Sequence, residues 1–208
     1  MTLTLLHTAA AHRATFDRLR DRIAPGTQLD HVVREDWLIR AQGGIDDDLA
    51  REITAATMAA GGPVLCSCTT LGPLAEAAGA LRIDQPMMQI AAQTGGKVLM
   101  AYCLKSTETP SLSLLQREMD RAGNDSGIEP LFLGHHWPLF EAGEADEFAD
   151  AIAASVRGAA TMCDDLGAVV LAQAPMAAAA DRLTDLGLPV LSSPETALGA
   201  ALERVRQA

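Results

Sequence analysis

The chain predicts an α/β protein built as two pseudo-symmetric lobes, each a short parallel sheet flanked by helices, with a small-molecule site in the cleft between them. Three observations lead there. Short apolar runs alternate with amphipathic stretches along the whole length, the pattern of βαβ units whose strands are covered on both faces. The core stock is Ala, Leu, Val, Ile and Met: 49% of the 208 residues are hydrophobic but only 3% are aromatic, which suits helices packed closely on a sheet. Finally, Val64-Leu65-Cys66-Ser67-Cys68-Thr69-Thr70 with its helix finds an echo half a chain later in Val169-Val170-Leu171-Ala172-Gln173-Ala174-Pro175 with its helix, as an internal duplication would give.

In order, Leu3–His7 reads as a first strand and Ala11–Ile23 as a helix by its charge spacing. Gln28–Val33 is a second strand, Asp46–Ala60 a helix with apolar Leu49, Ile53 and Met58, and Val64–Cys66 a third strand. Pro86–Ile90 reads as a short fourth strand. A new series follows: strand Lys97–Tyr102, helix Leu112–Ala122, strand Glu129–Leu133, helix Glu144–Cys163, strand Ala168–Ala172, helix Met176–Leu186, strand Pro189–Leu191 and a last helix from Pro194. Gly95-Gly96 is the best candidate for a hinge between the lobes.

Composition narrows the function. A formal net charge of −11 argues against nucleic-acid or anionic-membrane partners, though a local site can still hold an anion. No apolar run reaches membrane-span length and no secretory leader is evident. The four cysteines, at 66, 68, 103 and 163, lack a small-secreted spacing and read as free thiols of a cytoplasmic protein. No G-x-G-x-x-G follows a strand and no phosphate-binding lysine loop occurs, which speaks against nucleotide-dependent chemistry.

The richest segment is Val64 to Pro73. A buried strand ends in cysteine, two threonines follow, a Gly-Pro break comes next, and Leu74–Ala78 starts a helix. Ligands of open α/β sheets gather at that carboxyl edge, where helix N-termini offer N–H groups and favour thiolate over thiol. Cys68 is therefore a candidate acid/base or nucleophile with an expected low pKa, although a cysteine there is usually a small core residue. Thr69 and Thr70 either cap the helix or contact a ligand. Ser106 and Thr107, placed before a helix, carry the same pair of readings.

These residues resemble the aspartate/glutamate/hydantoin racemase superfamily, which also holds maleate isomerases and arylmalonate decarboxylases. Four places carry the likeness: Cys68-Thr69-Thr70; Lys97–Tyr102 followed by Ser106-Thr107-Glu108-Thr109-Pro110-Ser111; Asp165–Gln173; and Leu188–Pro194. The resemblance implies two lobes, the first formed by 1–93 plus 191–208 and the second by 94–190. It also implies a cofactor-independent site in which a cysteine from each lobe flanks the α-carbon of a small carboxylic acid. It gives Cys68 the catalytic role. It assigns substrate contacts to His7 and Thr8 at the end of the first strand, to Thr69 and Thr70, and to Ser106 and Thr107 on the carboxylate. Dimers are common in the similar family, so a homo-oligomer lies within the expectation.

The sequence departs from that pattern in one place. Gln173 stands where the family has its second cysteine, and an amide exchanges no proton at neutral pH. Gln173 can still hydrogen-bond a substrate oxygen. One thiol fits protonation of a carbanion after decarboxylation, addition to an activated double bond, or a racemase whose second base is His7, His135 or Tyr102. A binding protein that kept the fold and lost the chemistry is the competing class. His12 and Arg13 read as a solvated helix face, and His135-His136-Trp137 as a loop without a third metal ligand.

Overall fold

A computed structural model describes residues 2–207. Among them the chain forms two compact units: one runs to Gln85 and resumes at Pro194, the other is Pro86–Ser193.

The first unit is built in the order β1 (Leu3–His7), α1 (Ala11–Ile23), β2 (Leu29–Val33), α2 (Glu35–Gln42), α3 (Asp47–Met58), β3 (Val64–Cys66), α4 (Gly72–Ala77) and β4 (Leu81–Arg82). Its described strands are all parallel and lie in the order β2-β1-β3-β4. The central strand β1 is buried at every residue, as a strand covered on both faces must be. Leu6, Trp37, Leu49, Ile53, Cys66 and Ala75 form the core on one face. The helix α3 starts where the Asp46 carboxylate accepts the Leu49 N–H at 2.7 Å, an N-cap that satisfies one orphan donor.

The second unit contains α5 (Gln85–Gln93), β5 (Lys97–Tyr102), α6 (Lys105–Ala122), β6 (Ile128–Phe132), α7 (Trp137–Glu141), α8 (Ala145–Ala160), β7 (Leu166–Leu171) and β8 (Val190–Ser192); α9 (Ser193–Gln207) then leads the chain back to the first unit. Its parallel strands lie in the order β6-β5-β7-β8, the same arrangement as the first sheet. The side-chain alternation of strands is visible in the core. Leu99, Ala101, Val169 and Leu171 pack on one face with α8, while Val98, Met100, Ala168 and Val170 pack on the other with α5 and α6. In these matching orders β3 and β7 hold the same place, so the echo between Val64–Thr70 and Val169–Pro175 is one of topology as well as sequence.

Several expectations are corrected. Pro86–Ile90 is helical: Met87, Met88, Ala91 and Ala92 recur at helical spacing and bury against the second sheet, so the first unit ends at Gln85 rather than at 93. The fourth strand is instead Leu81–Arg82. Because Val190–Ser192 completes the second sheet, the return crossing falls after Ser193, not at 190. Gly95-Gly96 lies inside the second unit and is no hinge between units. A Cβ on Gly96 would meet the Asp165 carbonyl at 2.5 Å, and one on Gly167 would collide with the Gly95 carbonyl, so these glycines permit close backbone packing. The helix expected at Met176–Leu186 is a 3-10 stretch, Ala174–Arg182 and Thr184–Leu186. No described helix is long and apolar enough to cross a membrane.

Candidate active site at the carboxyl edge of the first sheet

After β3 the chain crosses the sheet edge through Ser67, Cys68, Thr69 and Thr70 before entering α4. Two backbone bonds fix this crossing: Ser67 N–H to the Leu6 carbonyl at 2.9 Å and Ile83 N–H to the Cys66 carbonyl at 3.0 Å. Cys68 is buried within the apolar cluster that includes Trp37, Leu71 and Ala75. Its sulfur nevertheless has polar neighbours, the Thr8 side chain and the backbone of Leu71 and Thr70, which draw its pKa back down. Burial outweighs them and pushes the thiol above its ordinary value, which corrects the expectation of a low pKa. Cys68 is therefore a protonated thiol at neutral pH, with polar groups beside it that favour the thiolate. Cys66, deeper in the same core, is pushed up to about 12 by burial.

Thr69 and Thr70 are buried, but neither caps α4; Leu71 is the N-cap and makes no side-chain cap bond. Their place beside the sulfur comes from the turn. Thr8 is also buried, directly after β1, and is a neighbour of the thiol.

His7 is fully buried and lies between other polar rings. Its Nδ1 is 2.7 Å from Ser67 Oγ, and its Nε2 is 2.9 Å from His31 Nδ1. The ring stacks on His31 with centroids 5.1 Å apart. His12, read from sequence as solvated, is buried, with its Nδ1 3.3 Å from the same Ser67 hydroxyl. Burial, with the nearby His12, His31 and Arg13, lowers His7 to about 3, and burial lowers His12 to about 4, so both rings are neutral at pH 7. The sequence reasoning missed Ser67, His12 and His31. The signal was the parallel pairing of β1 with β2, which sets His31 opposite Leu5, two residues before His7.

In the second unit, Ser106 and Thr107 lie within α6, not ahead of it. The helix begins at Lys105, with Leu104 as an N-cap that makes no side-chain bond, so both residues stand in its first turn. Thr107 is buried. Gln173 is buried at the end of β7, where its Oε1 accepts the backbone N–H groups of Cys103 at 2.6 Å and Leu104 at 3.1 Å. The side chain at the expected second-thiol position thus ties down the turn that leads into α6. Burial together with the neighbouring Glu108 carboxylate pushes the Tyr102 phenol up to about 12, so it is no base at neutral pH. His136 bonds Ser155 at 2.9 Å and lies with its ring tilted against that of His135, which ties this histidine pair to α8. Among the described residues no cluster of three His, Cys, Asp or Glu side chains could hold a metal ion.

No protein-family model and no curated protein sequence matches this chain. Solved structures do. The glutamate racemase of Francisella tularensis, in complex with D-glutamate, aligns with a TM-score of 0.73 at 8% identity over 99% of this chain and 81% of its own. The allantoin racemase of Klebsiella pneumoniae aligns with 0.67 at 19% identity over 100% and 88%. A liganded variant of arylmalonate decarboxylase aligns with 0.62 at 13% identity over 98% and 92%. The chain shares the α/β fold of these two racemases and of the decarboxylase.

Proposed function

We propose that this chain is a cofactor-independent enzyme of racemase or isomerase type, acting on a small carboxylic acid, an amino acid or a dicarboxylate, with Cys68 as its acid/base or nucleophile. The observation that carries this reading is the setting of Cys68: a thiol at the carboxyl edge of the first sheet, just after β3, with the Thr8 side chain and the backbone of Thr70 and Leu71 beside it. A thiol buried among hydrocarbon alone would lack such neighbours. With them the thiolate is favoured, which acid/base or nucleophilic work requires.

In this reading the acid binds with its α-carbon next to the sulfur. His7, Thr8, Thr69 and Thr70 are proposed to contact it. Ser106 and Thr107, in the first turn of α6, are proposed as carboxylate contacts, because a helix N-terminus favours negative charge. Gln173 contributes its amide N–H₂, since its oxygen is engaged by Cys103 and Leu104. The free thiols and the acidic surface fit a cytoplasmic enzyme whose partner is its small substrate rather than a nucleic acid or a membrane. A homo-oligomer is proposed on the same likeness.

Gln173 favours a second reading, a single-thiol decarboxylase. The bond between a carboxyl group and the α-carbon breaks, carbon dioxide leaves, and the electron pair stays on carbon as an enediolate. The Cys68 S–H proton then moves to that carbon and solvent reprotonates the sulfur. Incubation with small amino acids, dicarboxylates and substituted malonates separates the readings. Loss of optical activity without gas release marks racemization, carbon dioxide release marks decarboxylation, and neither from any of these acids contradicts both.

A further inference from the structure

The strand pairing of the first sheet brings an ion pair to the thiol. β3 and β4 run in parallel with Leu65 opposite Leu81 and Cys66 opposite Arg82, and the Ile83 N–H donates to the Cys66 carbonyl at 3.0 Å. Residues opposite each other in adjacent strands share a face, so two residues further on, where both strands end, Asp84 falls beside Cys68. Arg82 and Asp84 are 3% and 0% exposed. Arg82 Nε and Nη2 donate to the two Asp84 carboxylate oxygens at 2.9 and 2.8 Å. The same guanidinium lies against the start of α4. A Cβ on Gly72 would come within 2.9 Å of Arg82 Nε, and one turn on a Glu76 carboxylate oxygen is 3.7 Å from Nη1.

These contacts bear on the segment that carries the sulfur. Cys68 shares its core with Leu71 and Ala75 of α4, the helix on which Arg82 rests. The Asp84 charge also reaches the sulfur and opposes the thiolate. Other elements around Cys68 bring little charge. α2 and α3 give Trp37, Ala41, Leu49 and Ile53 to this core, while their Arg40 and Glu52 pair with each other away from it. β1 gives Leu6, whereas His7 bonds Ser67, and both of these alternate to the opposite face of the sheet. Cys66, pushed up to about 12, is uncharged at neutral pH. The charged groups facing Cys68 are therefore Asp84, Arg82 and, on α4, Glu76.

Stability alone does not account for such a pair. Two apolar side chains of similar volume generally serve a fold as well as a buried ion pair or better, and the large cost comes only from removing one partner. We propose that Arg82 and Asp84 are positioning residues for Cys68: the guanidinium fixes the turn from Cys68 into α4, and the Asp84 carboxylate keeps the resting thiol protonated. Proton loss from the sulfur then places a second negative charge beside Asp84, which favours return of the proton. The bearing of this pair on turnover rests on the proposed function; its hold on the thiol does not.

The test is NMR of the full chain labelled with ¹³C at cysteine Cβ and aspartate Cγ, titrated from pH 6 to 10.5 without substrate, with Cys68→Ala assigning the Cys68 signal. In Asp84→Asn, which leaves the Arg82 charge uncompensated, Cys68 is expected to ionise at least about one pH unit lower than in the unmodified protein, the usual effect of a nearby charge. In Arg82→Met/Asp84→Leu, which removes both charges and keeps the core filled, the shift is expected to be smaller. An unshifted Cys68 in a folded Asp84→Asn overturns the proposal. So does a shift as large in the double variant, because packing rather than charge would then be its cause. A second readout needs no substitution at the pair: the Asp84 Cγ signal of the unmodified protein is expected to move at the pH where Cys68 ionises and to stay still in Cys68→Ala. An Asp84 signal indifferent to Cys68 overturns the proposal even where Asp84→Asn does not fold. With a turned-over acid, the pH profile of kcat in Asp84→Asn is expected to follow the shifted thiol. Absence of turnover with every acid overturns the proposed function and leaves the thiol result standing.

Discussion

Gln173 Oε1 accepts the backbone N–H of Cys103 at 2.6 Å, bridging the end of β7 to the turn that leaves β5. A structural bond thus occupies the position where the resemblance expects a second proton carrier. Gln173→Ala should lower the unfolding free energy by about 1–3 kcal/mol, the usual cost of orphaning buried N–H groups. Denaturant unfolding measures it. On the proposed function, Gln173→Cys should pay the same stability cost and yet raise the rate of racemization, followed by chiral chromatography. An unchanged rate in a folded variant would speak against a two-base site.

The thiols should react in order of access rather than of proposed role. Cys163 is the most accessible of the four, while Cys66, Cys68 and Cys103 are buried, with Cys66 and Cys103 each pushed up to about 12. Iodoacetamide, followed by peptide mass spectrometry, should label Cys163 first and Cys68 slowly in the ligand-free protein. Rapid labelling of Cys68 would show that its thiol is far more acidic than its buried setting implies.

Acid should destabilise the fold through His7 and His12. Unfolded histidines take up protons near pH 6.5, whereas these two remain neutral until about pH 3 and about pH 4. Between those limits the unfolded chain binds more protons, so this contribution is fully present above about pH 6.5 and is lost as pH falls toward 4. The slope should be on the order of 1–3 kcal/mol per pH unit for two such groups. Thermal melts from pH 7.5 to 4.5 test it, and the slope should flatten when both residues are replaced by glutamine. A flat profile in the unmodified protein would mean that the rings are charged when folded.

Arg82 and Asp84 form a buried bidentate pair, with Nε and Nη2 at 2.9 and 2.8 Å from the two carboxylate oxygens. Burial pushes the Asp84 carboxyl up and the guanidinium draws it back. Arg82→Met should cost about 3–5 kcal/mol, because it leaves a buried carboxylate without its partner. The effect should be larger near pH 8 than near pH 5, where the lone carboxyl can be protonated. Gly72→Ala probes the same pair more gently, since a Cβ there would come within 2.9 Å of Arg82 Nε. Melting temperatures of both variants test the pair, and an Arg82→Met melt like that of the unmodified protein would remove its structural role.

The strands were legible in the sequence because buried parallel strands are written as continuous apolar runs, as in Leu3–His7 and Lys97–Tyr102. Pro86–Ile90 was not, because Met87-Met88 beside Ile90 reads equally as a short strand, and only burial of Ala91 and Ala92 on the same side reveals the helix. Pro110 hid the first turns of α6, since a proline inside a periodic stretch looks like its start. Within the site, Cys68 and Gln173 could be picked from their places after matching strands. The polar line through Ser67 could not, because it depends on β1 and β2 pairing in parallel to bring His31 to His7, a relationship between residues distant in the chain.

Deuterium exchange tests the central role of Cys68 most directly. The protein and its Cys68→Ala variant are incubated in D₂O with small amino and hydroxy acids and substituted malonates, and the α-carbon is followed by proton NMR. With the unmodified protein, solvent deuterium should appear at the α-carbon of a turned-over acid, and a folded Cys68→Ala should show none. Deuterium entering at an undiminished rate without the thiol would contradict the account.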